Sequence, residues 1–510
     1  MKYNKPMFTM TSVAMLISSV LYSTSSLAAE GAIKHSPGAS ITTYDESAFG
    51  ADPTYTDKPY SAEAQIEIYG GKSAVQTPRP LVELGRDIYG AGQFNESSYV
   101  FGALNPTDQQ FLVYGDWQTA VGYNDNGAVR QGVVTTRLRL DIDYKITSTE
   151  RIHAFVNPLQ KANKITRCTF ADSKNVANDD KAGTCNLDFD LDLDALYFEG
   201  DIGAMISGAT GEYSGKDIPF AVGFMPILFQ NGIWVDDNFH GAAVTIPSLN
   251  SKDLDISNMD ITLFTGWEEV NTGLADGKLS ANIAGITTFI ESNGGYWELG
   301  YGYTWGENDE LDDQEYHNVT AAFSKRYGGW LSNTVRVIYN FGQNRNDNQD
   351  QTADGFLLLV ENSFITSKPS TLIPYFNAFA GFDKPQPLAK GNGGVLLNTG
   401  INFETDNQTG FPKLDDTAND TWGGALGVEY LFGLDQQIVI EAATVQIRGD
   451  NTKRNIKGDQ YALGIRYQKP LDKSWIFRAD AMVGFLDNSK LAGNADKDLS
   501  GIRAEIRKKF

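Results

Sequence analysis

Residues 136–146 read Thr-Arg-Leu-Arg-Leu-Asp-Ile-Asp-Tyr-Lys-Ile, and this stretch decides the fold. Leu138, Leu140, Ile142, Tyr144 and Ile146 fall on one side of an extended chain, while Arg137, Arg139, Asp141, Asp143 and Lys145 fall on the other. A period of two marks a β-strand whose faces meet different surroundings. The pattern recurs where Leu187, Phe189, Leu191, Leu193, Ala195 and Tyr197 oppose Asp188, Asp190, Asp192 and Asp194. It recurs again where the apolar series from Trp475 to Phe485 opposes Arg478 and Asp480, and where Val335, Val337, Tyr339 and Phe341 flank Arg336 and Asn340.

Soluble sandwiches alternate as well, so alternation needs company. Here the polar face carries opposite charges in ladders, and the apolar face carries aromatics near strand ends, as a lipid-facing wall does where it meets headgroups. Strands cross a bilayer only as a closed barrel, because an open edge leaves backbone N–H and C=O groups unpaired in hydrocarbon. Segments of this kind from residue 110 onward number about eighteen (range 16–20), joined by links that alternate between short and long. Ser292-Asn293 and Gly328-Gly329 are short links; 160–186, 227–239 and 383–420 are long and polar. The predicted class is all-β, a transmembrane antiparallel β-barrel over 110–510 with both ends in the periplasm.

Composition closes other routes. The chain has 510 residues, 64 Asp and Glu against 42 Lys and Arg, and a formal charge of −22. No basic cluster offers a face to phosphates, so no nucleic-acid partner is expected. Outside the N-terminus no apolar run reaches the length of a spanning helix. Lys2 and Lys5, the mostly apolar stretch Met10 to Leu21, and Ser26-Leu27-Ala28 read as a secretory signal peptide over 1–28. Residues 29–109 are polar, and the sequence leaves open a periplasmic extension, a plug or extra strands.

Cys168 and Cys185 enclose a polar loop without histidine, and in an exported chain a disulfide is expected. Closing such a loop restrains the unfolded chain by roughly 3 kcal/mol. Acidic runs such as Asn178-Asp179-Asp180 and Asp415-Asp416 lack the spacing of a calcium loop, so no metal is expected. The histidines His35, His153, His240 and His317 are scattered, and neither a Gly-x-Ser-x-Gly elbow nor a His-Glu-x-x-His motif occurs. Neither an enzyme nor a cofactor is expected. A haem-binding Cys-x-x-Cys-His is absent too.

Ile502, Ala504 and Ile506, spaced by two before the terminal Phe510, resemble the last strand of outer-membrane barrels, although Lys508 interrupts the apolar face. Over nearly the whole mature chain the pattern resembles a Gram-negative outer-membrane porin. Ala221-Val222-Gly223-Phe224-Met225-Pro226, followed by Gly232-Ile233-Trp234-Val235-Asp236-Asp237 and Gly241, is similar to the strand, inward loop and returning strand of alginate-export-type porins. Those porins carry Gly-Arg-Gln where this chain has Gly223-Phe224-Met225, so the basic side chain is missing.

The resemblance implies a water-filled channel in the outer membrane for passive diffusion of ions and sugars. The alternatives are a polysaccharide-export conduit or a sheath around a partner protein. It implies a loop near 227–239 that narrows the pore, with Asp236 and Asp237 at the constriction and Trp234 either a stacking surface for a sugar ring or a packing anchor. The expected pore lining is Arg137, Arg139, Asp141, Asp143, Asp188, Asp190, Asp192, Asp194, Arg336, Arg466, Arg478 and Asp480. Charges in a water-filled channel with a low-dielectric wall select what passes, because the wall concentrates the field. The expected partners are membrane lipid, lipopolysaccharide and small polar solutes, with the protein a monomer or a trimer.

Overall fold

A computed structural model describes residues 78–85 and 100–510, apart from 128, 162–163, 175–181, 275–280, 307–312, 346–349, 405, 407, 433–434, 450–453 and 488–497. Its barrel strands are β1 (Thr107–Asp125), β2 (Arg130–Thr147), β3 (Arg151–Val156), β4 (Leu193–Asp201), β5 (Pro219–Phe229) and β6 (Val235–Ser251). They continue as β7 (Ile256–Trp267), β8 (Ala281–Ser292), β9 (Gly295–Gly306), β10 (Tyr316–Tyr327), β11 (Leu331–Phe341) and β12 (Asp354–Phe364). The last six are β13 (Leu372–Lys384), β14 (Thr421–Phe432), β15 (Gln436–Ile447), β16 (Gln460–Pro470), β17 (Trp475–Leu486) and β18 (Leu499–Lys509).

Each strand pairs antiparallel with the next, and β1 pairs with both β2 and β18, so the sheet closes on itself. The fold is an eighteen-strand antiparallel barrel, as the alternation predicts. An even number of crossings puts the start of β1 and the end of β18 at one rim, where the links 293–294, 328–330 and 471–474 are short. Short turns mark the periplasmic rim of such barrels.

Cross-strand register carries one face through the whole ring, since partners directly opposite share a side. On β11 the outward Val335 and Tyr339 are 39% and 47% exposed, whereas Arg336, Ile338 and Asn340 between them are at most 1% exposed. Exposed apolar residues outside and buried polar residues inside invert the order of a water-soluble body. That inversion suits a wall with hydrocarbon around it.

Two sequence expectations change. The stretch 187–204 is not one strand: 187–192 is extended but outside the ladder, β4 starts at Leu193, and Ile202–Thr210 forms a helix, α1, at the periplasmic rim. Asp201 caps α1 by accepting from the Ala204 N–H at 2.7 Å, and Gly211 ends it at φ 70°. Within β4 a bulge sets Phe155 against Ala195 but Val156 against Leu193, leaving Asp194 unpaired. One extra residue exchanges the faces, so Ala195 and Tyr197 turn inward although Leu193 points out. The expected inward segment 227–239 takes the form of a hairpin: β5 pairs with β4 only up to Phe224 and β6 with β7 only from His240, and the arms between turn at Gln230–Gly232, where Gln230 meets Thr320 and Arg336 inside the barrel.

The signal segment 1–28 lies outside the described residues, as does most of 29–109. Of the latter, Val82–Gly85 forms a short strand against residues 110–113 of β1, below the end of β18. Cys168 and Cys185 are bonded to one another across a small ladder that continues the upper edge of β2.

Candidate pore constriction

The link between β13 and β14, residues 385–420, enters the barrel. Near its start Ala389 and Lys390 pair in parallel with Val235 and Asp236 of β6, and Gln386 donates its N–H to Asn340 of β11 at 2.8 Å. Further on, Asn402 meets Glu441 of β15, and Gln408 donates to Gln118 of β1 at 2.6 Å. A segment that touches strands on opposite sides of a ring crosses its lumen. Leu396, Phe403 and Leu414 of the segment pack with Ile338, Leu357, Leu359 and Phe379 of the inner wall, all buried.

Polar anchors hold this segment. Glu441, fully buried, accepts from the N–H of Ile401 (3.0 Å), the N–H and side-chain amide of Asn402 (2.9 and 2.8 Å) and the Tyr375 hydroxyl (2.6 Å). Three arginines meet three carboxylates beside it. Arg466 bridges Glu404 (2.6 Å) and Asp480 (2.7 Å), and Arg478 bridges the same pair at 3.0 and 2.8 Å. Arg503 joins Asp406 (2.7 Å) to Asp480 (3.0 Å). Every acid faces at least one guanidinium, so the cluster is neutral and fully paired, which is the condition for charges to be tolerated out of water.

Lys390 differs. Its Nζ is buried without a hydrogen-bond partner, and burial pushes its pKa down to about 8 against the pull of Asp236 and Asp416.

A second insert narrows the same lumen. Trp234 is fully buried, donates its indole N–H to Asn318 at 2.9 Å and packs on Phe264 at 5.9 Å between ring centres. Gly300 and Gly302 of β9 make room: a Cβ at Gly300 would lie 2.7 Å from the Trp234 ring, and one at Gly302 would lie 2.5 Å from Leu388. Trp234 is therefore an anchor and offers no surface to a sugar. Asp237 lies on the returning arm of the inward hairpin, 6% exposed, and accepts from the backbone N–H (2.7 Å) and side chain (2.9 Å) of Asn271. Asp236 lends its backbone carbonyl to the Gly391 N–H at 2.9 Å. Both aspartates thus brace the inward segments.

Arg137, Arg139, Asp141 and Asp143 share the inner face with Gln118, by register. Arg137 donates to Gln118 at 2.9 Å, Asp143 lies 3.3 Å from Arg151, and Arg139 is exposed. Asp188, Asp190 and Asp192 sit in the extended stretch outside the ladder, and Asp194 is the bulge residue, held by the Asn157 amide at 2.9 Å. Arg336, 1% exposed, holds Gln230 and reaches Glu298 at 3.4 Å. Arg466, Arg478 and Asp480 belong to the buried network.

Sequence reasoning missed Glu404, Asp406, Glu441 and Arg503. The signals for them were the triplet Val395-Leu396-Leu397 and the aromatics Phe403 and Phe411, which a solvated loop has no reason to carry. Among the described residues no group of three or more His, Cys, Asp or Glu is poised for a metal. His153 faces inward beside Glu199 at 3.0 Å, while His240 and His317 take the outer face.

A closed eighteen-strand barrel with an apolar exterior, a charged interior and folded-in segments defines a transmembrane β-barrel of the porin fold. No protein-family model and no characterised protein matches this chain by sequence. Solved structures do match in fold. Acinetobacter baumannii OccAB3 shares 10% identity at a TM-score of 0.51, covering 78% of this chain and 99% of its own. Pseudomonas aeruginosa OccK1 (OpdK) shares 12% at 0.50, covering 78% and 98%, and P. aeruginosa OccK11 (OpdR) shares 9% at 0.50, covering 78% and 96%. The chain thus has the barrel of Gram-negative outer-membrane porins.

Proposed function

We propose that this chain is an outer-membrane porin, a non-enzymatic channel through which small polar solutes diffuse passively. One observation carries the reading: two inserts, 385–420 and the turn at Gln230–Gly232, are built into the lumen by dedicated anchors and reduce a wide barrel to a channel. A barrel that served only as a scaffold needs no such anchoring. A polysaccharide conduit or a sheath around a partner needs a wide lumen, which the inserts oppose.

Arg139, Arg151, Asp141 and Glu199 remain on the inner face with exposed or half-exposed side chains, so solutes meet both signs of charge. Charge in such a passage acts over a distance set by ionic strength, about 10 Å at 0.1 M salt.

The test is reconstitution into planar bilayers and liposomes. We expect discrete current steps, and swelling by small sugars that falls off with solute size. Vanillate, with which OpdK has been crystallised, is a suitable carboxylated probe of the same size range. Folded protein that passes neither ions nor sugars overturns the reading.

A further inference from the structure

Most inward aromatic side chains of this barrel are packed away: Trp234, Phe239, Tyr316 and Phe264 are all under 5% exposed. Phe289 and Tyr296, on β8 and β9, are not. Register sets Phe289 opposite Glu298 and Tyr296 opposite Glu291, and Glu298 reaches Arg336 on the inner wall, so both rings face the lumen. They stack at 5.4 Å with an interplanar angle of 25° and remain 40% and 45% exposed. Exposed aromatic surface in a water-filled passage is apolar area whose covering by a ligand is favourable.

Beside Tyr296 lies a cavity of about 330 Å³ at the periplasmic rim, lined also by Asp255, Ser257, Glu291 and Asn293. That is the lower end of the range for small-molecule pockets, large enough for one ring. Neither the Asp255 nor the Glu291 carboxylate has a side-chain partner among the described residues. The Ser257 hydroxyl donates to the Glu291 carbonyl at 3.2 Å, the Asn293 carbonyl takes Lys325 at 2.7 Å, and the Asn293 amide donates to the Ser292 hydroxyl at 3.1 Å, so the two carboxylates are the open polar groups of the cavity.

Open carboxylates accept hydrogen bonds and donate none when ionised. They repel anions and suit a ligand rich in hydroxyl donors, and an aromatic face suits the C–H face of the same ligand. A neutral pyranose has both.

We propose that the Phe289–Tyr296 stack and the adjoining cavity form a saccharide subsite at the periplasmic mouth of the channel, holding one neutral sugar ring. The ring lies on the aromatic face, and its hydroxyls donate to Asp255 and Glu291. This rests on the channel reading above. It moves the stacking role from Trp234, which is buried, to the aromatics that the lumen leaves open.

The test uses the full protein in planar bilayers, with maltose as the probe added to each side in turn. Maltose is expected to interrupt the current reversibly, more strongly from the periplasmic side. Phe289→Ala and Tyr296→Ala are expected to weaken the half-blocking concentration roughly threefold to tenfold each, the span of aromatic contacts. Tyr461→Ala, a lipid-facing change on β16, is expected to keep the wild-type block. Current without any maltose block, or equal block in the wild type and both variants, overturns the subsite while leaving the channel standing. Block by guanidinium in place of maltose overturns the sugar assignment. No current at all overturns the channel reading itself.

Discussion

Replacing Glu441 by alanine separates the barrel from its insert. The side chain is fully buried and accepts four hydrogen bonds, three of them from Ile401 and Asn402 of the inward segment. Bonds to a charged acceptor contribute about 1.5–3 kcal/mol each, so the three ties to the segment represent roughly 5–9 kcal/mol gross. Water entering the lumen replaces part of this, and each buried donor left without its acceptor costs about 1–3 kcal/mol, so a net loss of about 3–5 kcal/mol is expected. At 1.4 kcal/mol per decade, the undocked population of the segment rises roughly two to four orders of magnitude. The backbone ladder of β14 to β16 is untouched, so the barrel itself persists. In single-channel recordings Glu441→Ala is expected to show higher mean conductance and frequent transitions between levels, with wild-type heat-modifiable migration on gels. Quiet wild-type conductance from a folded Glu441→Ala protein refutes the assignment of the insert as the constriction.

Arg139→Gln removes an exposed inward cation, and the reversal potential in a salt gradient is expected to move toward cation selectivity. Asp237→Asn should leave that potential within experimental error, because the carboxylate is only 6% exposed; a large shift would return Asp237 to the permeation path. Its expected effect is instead added current noise, from a weakened hold on Asn271. Lys390 has its pKa lowered to about 8 by burial, below the unfolded value near 10.4, so the docked segment binds fewer protons than the free one between those limits. Docking therefore strengthens as pH rises from about 8 to 10.5, and current noise should fall over that window in the wild type and stay flat in Lys390→Met. Reducing the Cys168–Cys185 bond should weaken the extracellular hairpin by roughly 3 kcal/mol, read as faster limited proteolysis while the barrel stays folded.

How much of this was legible in the sequence differs element by element. β2 could be read directly, because Leu138 to Ile146 and Arg137 to Lys145 answer to two solvents, and a side-chain period of two admits one backbone. Lys508 looked like a flaw in the last strand. In the structure it points outward at the periplasmic end, 5.5 Å above the Trp475 ring and opposite Trp117 on β1, where a long stem lies along the wall and its charge reaches the headgroups. The run from Leu187 to Tyr197 misled because alternation cannot reveal a bulge, and one unpaired residue at Asp194 reverses the faces.

The chain's local pattern alone determined that a closed barrel forms, about how many strands it has and which side of each meets lipid, because those follow from repeated short-range alternation. Which residues narrow the passage was decided only in three dimensions. Glu441 and Asn402 are 39 positions apart, and Gln118 and Gln408 are 290 apart. Val395-Leu396-Leu397 and Phe403 hint that their loop folds inward, but only the wall it meets can tell a free charge from an anchor.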